Sequence, residues 1–498
     1  MEKNVLGIDL GTGSVKVTAV NKLGDIVGQE STSYPNPQPQ PGWSEQNPND
    51  WVNGTIAAIR KLVNDDNVDP VSISGASFSG QMHGLVLLDK NNHVIRPAIL
   101  WNDTRTTKQR KEIEDKLGKR FVEITGNQPL EGFTITKLLW VKENEPENWA
   151  KVKTFLLPKD YLRFKMTGNI AVDFSDATGT TLLDIHDNKW SLEICQVLGI
   201  PEKILPPLIQ SIDYAGNVIP DFADEADMST ITKVYGGAAD NSAGAVGAGI
   251  MSPNNALVSV GTSGVVLHHE VDLSTDYGGR LQMEDHSIPN TYYSMGVTLA
   301  AGDSLTWYKN TFVPDEDFTE MTDEAGNSPI GANGLLFTPY IAGERMPHAD
   351  SQIRGSFVGI DRTQVRRDFT RAVMEGITFS LKDILTIYDE IGATIDHVTS
   401  IGGGAKSAVW TQIQADIFDK PVTTLKNEQG PGIGAAMIAA VGLGWFTGFP
   451  ACADQFIKFG KTYEPIQANA DKYAKLFKIY QQIYPQTKKI SHELRNFR

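Results

Sequence analysis

Leu6-Gly7-Ile8-Asp9-Leu10-Gly11-Thr12-Gly13-Ser14-Val15-Lys16-Val17 reads as an apolar strand, a Gly-Thr turn and a second strand. About 250 residues later the order returns as Ala256-Leu257-Val258-Ser259-Val260, Gly261-Thr262-Ser263-Gly264 and Val265-Val266-Leu267. Glycine in one hairpin turn only permits a left-handed backbone. The same pattern at matching places in two halves points to duplication of one domain type.

Outward from the first copy, Ile26-Val27-Gly28 supplies a third strand, and Asn49-Asp50 caps a helix running to about Asn64. Residues 71–78 form a strand that ends in the turn Ser79-Gly80-Gln81-Met82-His83-Gly84, and Leu85–Asp89 continues as a strand. This order predicts an α/β fold with a mixed sheet. Residues 105–210 are mostly helical, with Lys159-Asp160-Tyr161-Leu162-Arg163 among them. In the second copy, Val398-Thr399-Ser400-Ile401 runs into Gly402-Gly403-Gly404, then a helix over 405–418 and a strand over 421–425. The copies divide into a first domain over 1–247 and a second over 248–498. Beyond about 455 the tail is helical and amphipathic, with Tyr473, Leu476, Phe477 and Tyr480 on its packing side.

At 498 residues the chain exceeds one ordinary core. Its 40% hydrophobic and 21% charged residues are those of a globular protein. A net charge of −15 argues against nucleic acid or an anionic membrane as partner. Two cysteines, Cys195 and Cys452, make neither a disulfide framework nor a metal site and suit a reducing cytoplasm. The first residues lack the pattern of a secretory leader. Two uncharged stretches, 241–267 and 429–453, are long enough to span a membrane. Pro253-Asn254-Asn255 interrupts the first and Pro431 and Pro450 the second, so both read as closely packed buried helices.

Asp240 stands where the small residues Gly236-Gly237-Ala238-Ala239 give way to the small-residue helix Asn241-Ser242-Ala243-Gly244-Ala245-Val246-Gly247. Asp is a natural helix cap. Small residues on both sides instead suggest that something approaches the backbone closely, as at a general base carried into a cleft between domains. Both readings stand on this segment alone. The turns at Gly11-Thr12-Gly13 and Gly261-Thr262-Ser263 offer backbone N–H groups and hydroxyls to phosphates, or are simply hairpins. Asp9, beside the first turn, is a turn former or a ligand for Mg²⁺ through waters. Gly402-Gly403-Gly404 lets a flat ring or ribose lie on bare backbone, or makes a tight turn. Met82, His83, Trp101, Asn102, Asp103 and Arg105 mix polar and aromatic groups as a polyhydroxylated ligand requires, although His83 and Trp101 also suit a core. Neither GxxxxGK[ST] nor GxGxxG occurs, so any ATP site has another architecture.

Taken together, these segments resemble the FGGY carbohydrate kinases. The resemblance is carried by Gly7–Thr12, Trp43–Pro48, Ser79–Gly84, Arg96–Asp103, Gly132–Trp140, Asp240-Asn241, Gly261–Gly264, Gly343–His348 and Gly402–Ser407, in the family's order from residue 5 to about 443. It implies duplicated actin/hexokinase-like (ribonuclease H-like) ATPase domains with a central cleft. It also implies ATP-dependent phosphorylation of a ketose, D-xylulose first, with gluconate, ribulose or glycerol as alternatives. A non-catalytic ATP- or sugar-binding protein of the same fold is the rival outside the enzymes. By the resemblance Asp240 is the base, Asp9 orients Mg²⁺ and the phosphates, and Met82, His83, Asp240 and Asn241 contact the sugar. Gly11, Thr12, Gly13, Gly261, Thr262 and Ser263 hold phosphates and Gly402, Gly403 and Gly404 the adenosine. Dimers are common among such proteins, so the resemblance is compatible with a homodimer, while the sequence does not fix the oligomeric state. This chain departs from the common pattern at Ala238-Ala239, where relatives often have Gly before the Asp, and in the order Gly11-Thr12-Gly13-Ser14. Gly84, where the gluconate kinases tend to have Ser, tilts the reading to a ketose.

Overall fold

A computed structural model describes residues 3–426 and 430–497. Packing divides the chain into two compact units. The first holds the chain up to Met251, Val271–Tyr293 and a stretch ending at Ile457; the second holds Ser252–Glu270, a stretch from Ser294, and the chain from Lys458. These units follow contacts and are discontinuous in sequence. The reason lies in the glycines of helix Pro431–Gly442, which fit against the first unit's leading strand and against helix Asp240–Gly247.

In the first unit the sheet runs Tyr214–Asn217, Lys233–Tyr235, Ile73–Gly80, Asn4–Leu10, Ser14–Asn21, Ile26–Ser33. Asn4–Leu10 is antiparallel to Ser14–Asn21, placing Asp9 opposite Lys16, and parallel to Ile73–Gly80, placing Asp9 beside Ser79. Leu6, Ile8, Leu10, Val15 and Val17 are fully buried and make this strand pair part of the core. Helix Pro48–Asn64 covers it with Trp51, Ile59 and Leu62. Its cap is Asn47, whose side chain accepts from the Asn49 N–H, not Asn49-Asp50. Pro48 at the first helical position moved the start upstream. The strand expected from residue 71 begins at Ile73, after a 3₁₀ turn over Pro70–Ser72. Val86–Leu88 lies outside the main sheet and pairs with Thr154–Leu156.

The second unit repeats the plan. Asn255–Val260 is antiparallel to Gly264–Glu270 and parallel to His397–Gly402, as Asn4–Leu10 is to its two neighbours. The sequence repeat is thus a repeat of topology. Val422–Leu425 and Phe459–Tyr463 extend that sheet. The tail forms helices Gln467–Tyr480 and Ile483–Leu494. Tyr473 and Tyr480 are buried, and the Tyr473 hydroxyl donates to Glu375 at 2.6 Å while accepting from Arg371 at 2.8 Å. Among the described residues no helix is long and apolar enough to cross a membrane.

Candidate active site

In the first unit the strand Ile73–Gly80 has a short parallel partner at its end, Ala238–Ala239, with Ala239 opposite Gly80. Asp240 follows as the first residue of its helix, and Ala239 occupies the cap position without a side-chain cap bond. The Asp240 carboxylate accepts the Asn241 N–H at 2.8 Å, so it meets one helix-end donor and remains partly exposed. Burial, and then the charge of Asp9, pushes its carboxyl up to about 7, against hydrogen bonds from the backbone of Asn241 and its own N–H. Burial also raises the Asp9 carboxyl, while the Ser79 hydroxyl and the Lys16 charge pull it down.

Met82 and His83 come to the same place. The Asn241 amide nitrogen lies 3.3 Å from Asp240 Oδ1 and 3.4 Å from Met82 Sδ, and the Tyr293 hydroxyl lies 3.8 Å from that sulfur. His83 has φ of 64°. Its carbonyl accepts from Lys137 Nζ at 2.8 Å and the Thr134 hydroxyl at 3.1 Å, which hold that unusual backbone. Its Nδ1 meets the Gly179 carbonyl at 2.8 Å; because a carbonyl only accepts, Nδ1 carries the proton. Lys137, fully buried, is pushed down to about 7 by burial, with Asp103 opposing.

Two further sequence candidates differ in their surroundings. Trp101 is exposed and its indole N–H donates to the Thr12 hydroxyl at 2.9 Å, linking it to the first Gly-Thr turn. Asp103 is fully buried, takes two bonds from Arg105 at 2.9 and 2.6 Å and accepts the Ser44 N–H at 2.7 Å. Its carboxylate is committed to that internal pair, and Arg105 in turn lies 3.5 Å over the Trp43 ring.

The helix Phe174–Gly179 was not among the sequence candidates, yet it touches most of this site. A Cβ on Gly179 would stand 3.0 Å from His83 Nδ1 and 3.2 Å from the Met82 methyl. Ser175 Oγ accepts the Ala239 N–H at 2.9 Å. Behind it Asp160, Asp173 and Asp176 surround Lys159, all fully buried. Burial alone would push Lys159 down, but the three aspartates together hold it charged, above its ordinary value. Their oxygens lie close enough for a metal ion, but the lysine ammonium takes that place. The sequence signal was Lys159-Asp160 and Asp173-Phe174-Ser175-Asp176 amid apolar residues, a density of charge that exposed loops also show.

In the second unit a cavity of about 670 Å³ is lined by Gly261, Thr262, Gly302, Asp303, Gly403 and Gly404, among others. It brings together the second Gly-Thr turn and the triple-glycine turn. Gly402 and Gly404 are needed because a Cβ on either would stand 2.6 Å from the Val260 carbonyl or 2.8 Å from its Cβ. Gly302 begins helix Gly302–Phe312, and its N–H donates to the Gly261 carbonyl at 2.7 Å. That helix start, facing the turn, was missed in the sequence because Ala300-Ala301-Gly302 carries no capping residue.

The sequence matches the N-terminal domain of the FGGY family of carbohydrate kinases over residues 4–247 and the C-terminal domain of that family over 256–443. The chain belongs to the FGGY family of carbohydrate kinases. It is 51% identical to a xylulose kinase of Bacillus subtilis, over 100% of this chain and 99% of the relative. It is similar in structure to a xyloylose kinase from Brucella ovis, with TM-score 0.91, 34% identity and 97% and 99% of the two chains covered. A gluconate kinase from Lactobacillus acidophilus superposes with TM-score 0.93 at 27% identity over 100% of both chains. The duplicated α/β fold of this kinase is the family's, and its activity is that of a sugar kinase.

Proposed function

We propose that the protein phosphorylates D-xylulose with ATP, using Asp240 as general base. The observation that carries this reading is the Asn241 amide, which bridges Asp240 Oδ1 and Met82 Sδ and so sets the base beside the Met82-His83 pair. A carboxyl held at about 7 accepts a proton readily near neutrality and gives it up again. Asp240 removes the proton from the terminal hydroxyl; that oxygen forms a bond to the γ-phosphorus as the bond to the ADP oxygen breaks. Gly261, Thr262, Gly403 and Gly404 would hold the nucleotide in the second unit's cavity. Gly11 and Thr12 would receive phosphate oxygens at the first turn.

Asp9 suits a hydrated Mg²⁺: it is a hard oxygen donor and partly exposed. When bound, the ion neutralises charge on the transferred phosphoryl group.

The names of similar proteins favour xylulose, and the likeness to a gluconate kinase keeps the sugar acid as the second reading. The test is ADP release with D-xylulose, ribulose, gluconate and glycerol offered in turn. The highest kcat/KM is expected with D-xylulose; a preference for gluconate would replace it. Absence of release with every acceptor would leave a non-catalytic binder.

A further inference from the structure

Helix Phe174–Gly179 joins the proposed base to the proposed sugar contacts, and its attachments are specific. The segment ahead of Asp240 is held by the Ala238–Ala239 pairing with Ile73–Gly80, by the Gly236 N–H donating to the Asp213 carbonyl at 3.0 Å, and at three further points. Arg163, fully buried, donates to the Gly236 carbonyl. Gly237 N–H donates to the Ser211 carbonyl at 3.1 Å. Ala239 N–H, next to Asp240, donates to Ser175 Oγ at 2.9 Å. Ser175 Oγ is itself oriented, because its hydrogen goes to Asp173 Oδ2 at 2.6 Å, and the Ser175 N–H donates to the same oxygen at 3.0 Å. Asp173 also accepts from Ser211 Oγ at 3.1 Å and is paired with Lys159. The serine lone pair that meets Ala239 is therefore fixed in direction by a buried carboxylate, which a buried ammonium fixes in turn. At its far end the helix accepts the His83 Nδ1 proton through Gly179.

We infer that Ser175 is a positioning residue for Asp240: the relay Lys159–Asp173–Ser175–Ala239 sets where the base stands relative to the Met82-His83 pair. This inference rests on the reading of Asp240 as general base. A hydroxyl that served only to fill the core would not need its proton directed away so that its lone pair faces a backbone N–H one residue before the base. A displaced base costs far more in rate than in affinity, because the Met82, His83 and nucleotide contacts stay in place.

The experiment compares Ser175→Ala, Ser175→Thr, Ser211→Ala and Asp240→Asn in the full chain, by kcat, by KM for each substrate and by thermal unfolding. Ser175→Ala is expected to lower kcat by between about 10- and 100-fold with each KM within about threefold. Ser175→Thr, which keeps the hydroxyl, should restore kcat to within about threefold. Ser211→Ala keeps the carbonyl that grips Gly237 and the Ser175–Ala239 bond and removes one hydroxyl from Asp173, so its loss of kcat should be far smaller than that of Ser175→Ala. If Ser175→Ala does not fold, Ser175→Cys takes its place: sulfur is a weak acceptor, and kcat must fall with KM unchanged. Parental kcat in the Ala or Cys variant overturns the inference, as does an equal loss in Ser211→Ala. Retained turnover in Asp240→Asn sinks the general-base reading and this inference with it. An inactive Asp240→Asn beside a fully active Ser175→Ala sinks the inference alone.

Discussion

Gly7 lies so close to Gly432 that a Cβ on Gly7 would stand 1.9 Å from the Gly432 carbonyl oxygen and 2.8 Å from the Ala436 nitrogen. Both obstacles are backbone, which cannot rotate aside. Gly7→Ala must push helix Pro431–Gly442 off the leading strand, at a cost of about 3 kcal/mol. Gly13→Ala is the comparison, because a Cβ there meets nothing within 4 Å. Denaturant unfolding should show a large loss for the first and almost none for the second.

Asp240→Asn should lower kcat by roughly 10²–10⁴-fold, the usual contribution of a positioned base. ATP affinity, measured by calorimetry or fluorescence, should stay near that of the parent. Loss of nucleotide binding in step with turnover would mean the residue supports the fold and not the proton transfer.

The pH dependence follows from the raised carboxyl. Only ionised Asp240 accepts a proton, so kcat/KM should rise with pH through a midpoint at about 7. The sign is fixed by burial and the Asp9 charge, both of which favour the neutral acid. An acid limb centred near 4, the value of an ordinary carboxyl, would show that the site is more open to water in solution.

Lys159→Met leaves three buried aspartates facing one another. Breaking a buried ion group by removing one partner costs about 3–5 kcal/mol. The unfolding midpoint should drop accordingly, and Lys159→Arg should recover little because the pocket holds a point charge between three carboxylates. A midpoint unchanged in Lys159→Met would mean that water reaches the cluster.

Gly302→Ala tests the nucleotide cavity. A Cβ at that position would stand 2.5 Å from the Gly261 carbonyl oxygen and so displace the second Gly-Thr turn. The KM for ATP should rise by about tenfold while the KM for the sugar holds. An effect on the sugar KM alone would remove this turn from phosphate binding.

The sequence carried the fold because its evidence was periodic and repeated. The two strand–Gly-Thr–strand segments became two hairpins, each with a parallel strand beside it. Of the uncharged stretches, the second holds helices Pro431–Gly442 and Phe449–Phe456, with Gly434 placed so that a Cβ would stand 1.8 Å from the Ala243 carbonyl. The first is helical only over Asp240–Gly247 and continues as strands Asn255–Val260 and Gly264–Glu270. Asp240, Met82 and His83 stood out as candidates because each follows the end of a strand. Ser175 did not, since its meaning depends on Ala239, which is 64 residues away. Asp103 is the opposite case: local composition suggests a ligand contact, and the fold gives its buried carboxylate Ser44 and Arg105 as partners. The compact units are discontinuous in sequence because they follow contacts, and the chain returns to the first unit twice.

That return has a consequence for how the protein is made. The ribosome releases the leading strand first, but the helix that covers its Gly7 side begins at Pro431. Until the nascent chain has emerged that far, the N-terminal sheet must wait with an apolar face uncovered, exposed to chaperones and to other unfinished chains. Truncated products ending ahead of residue 431 should therefore be sticky and short-lived, and circular permutation that places this helix before the leading strand should speed maturation.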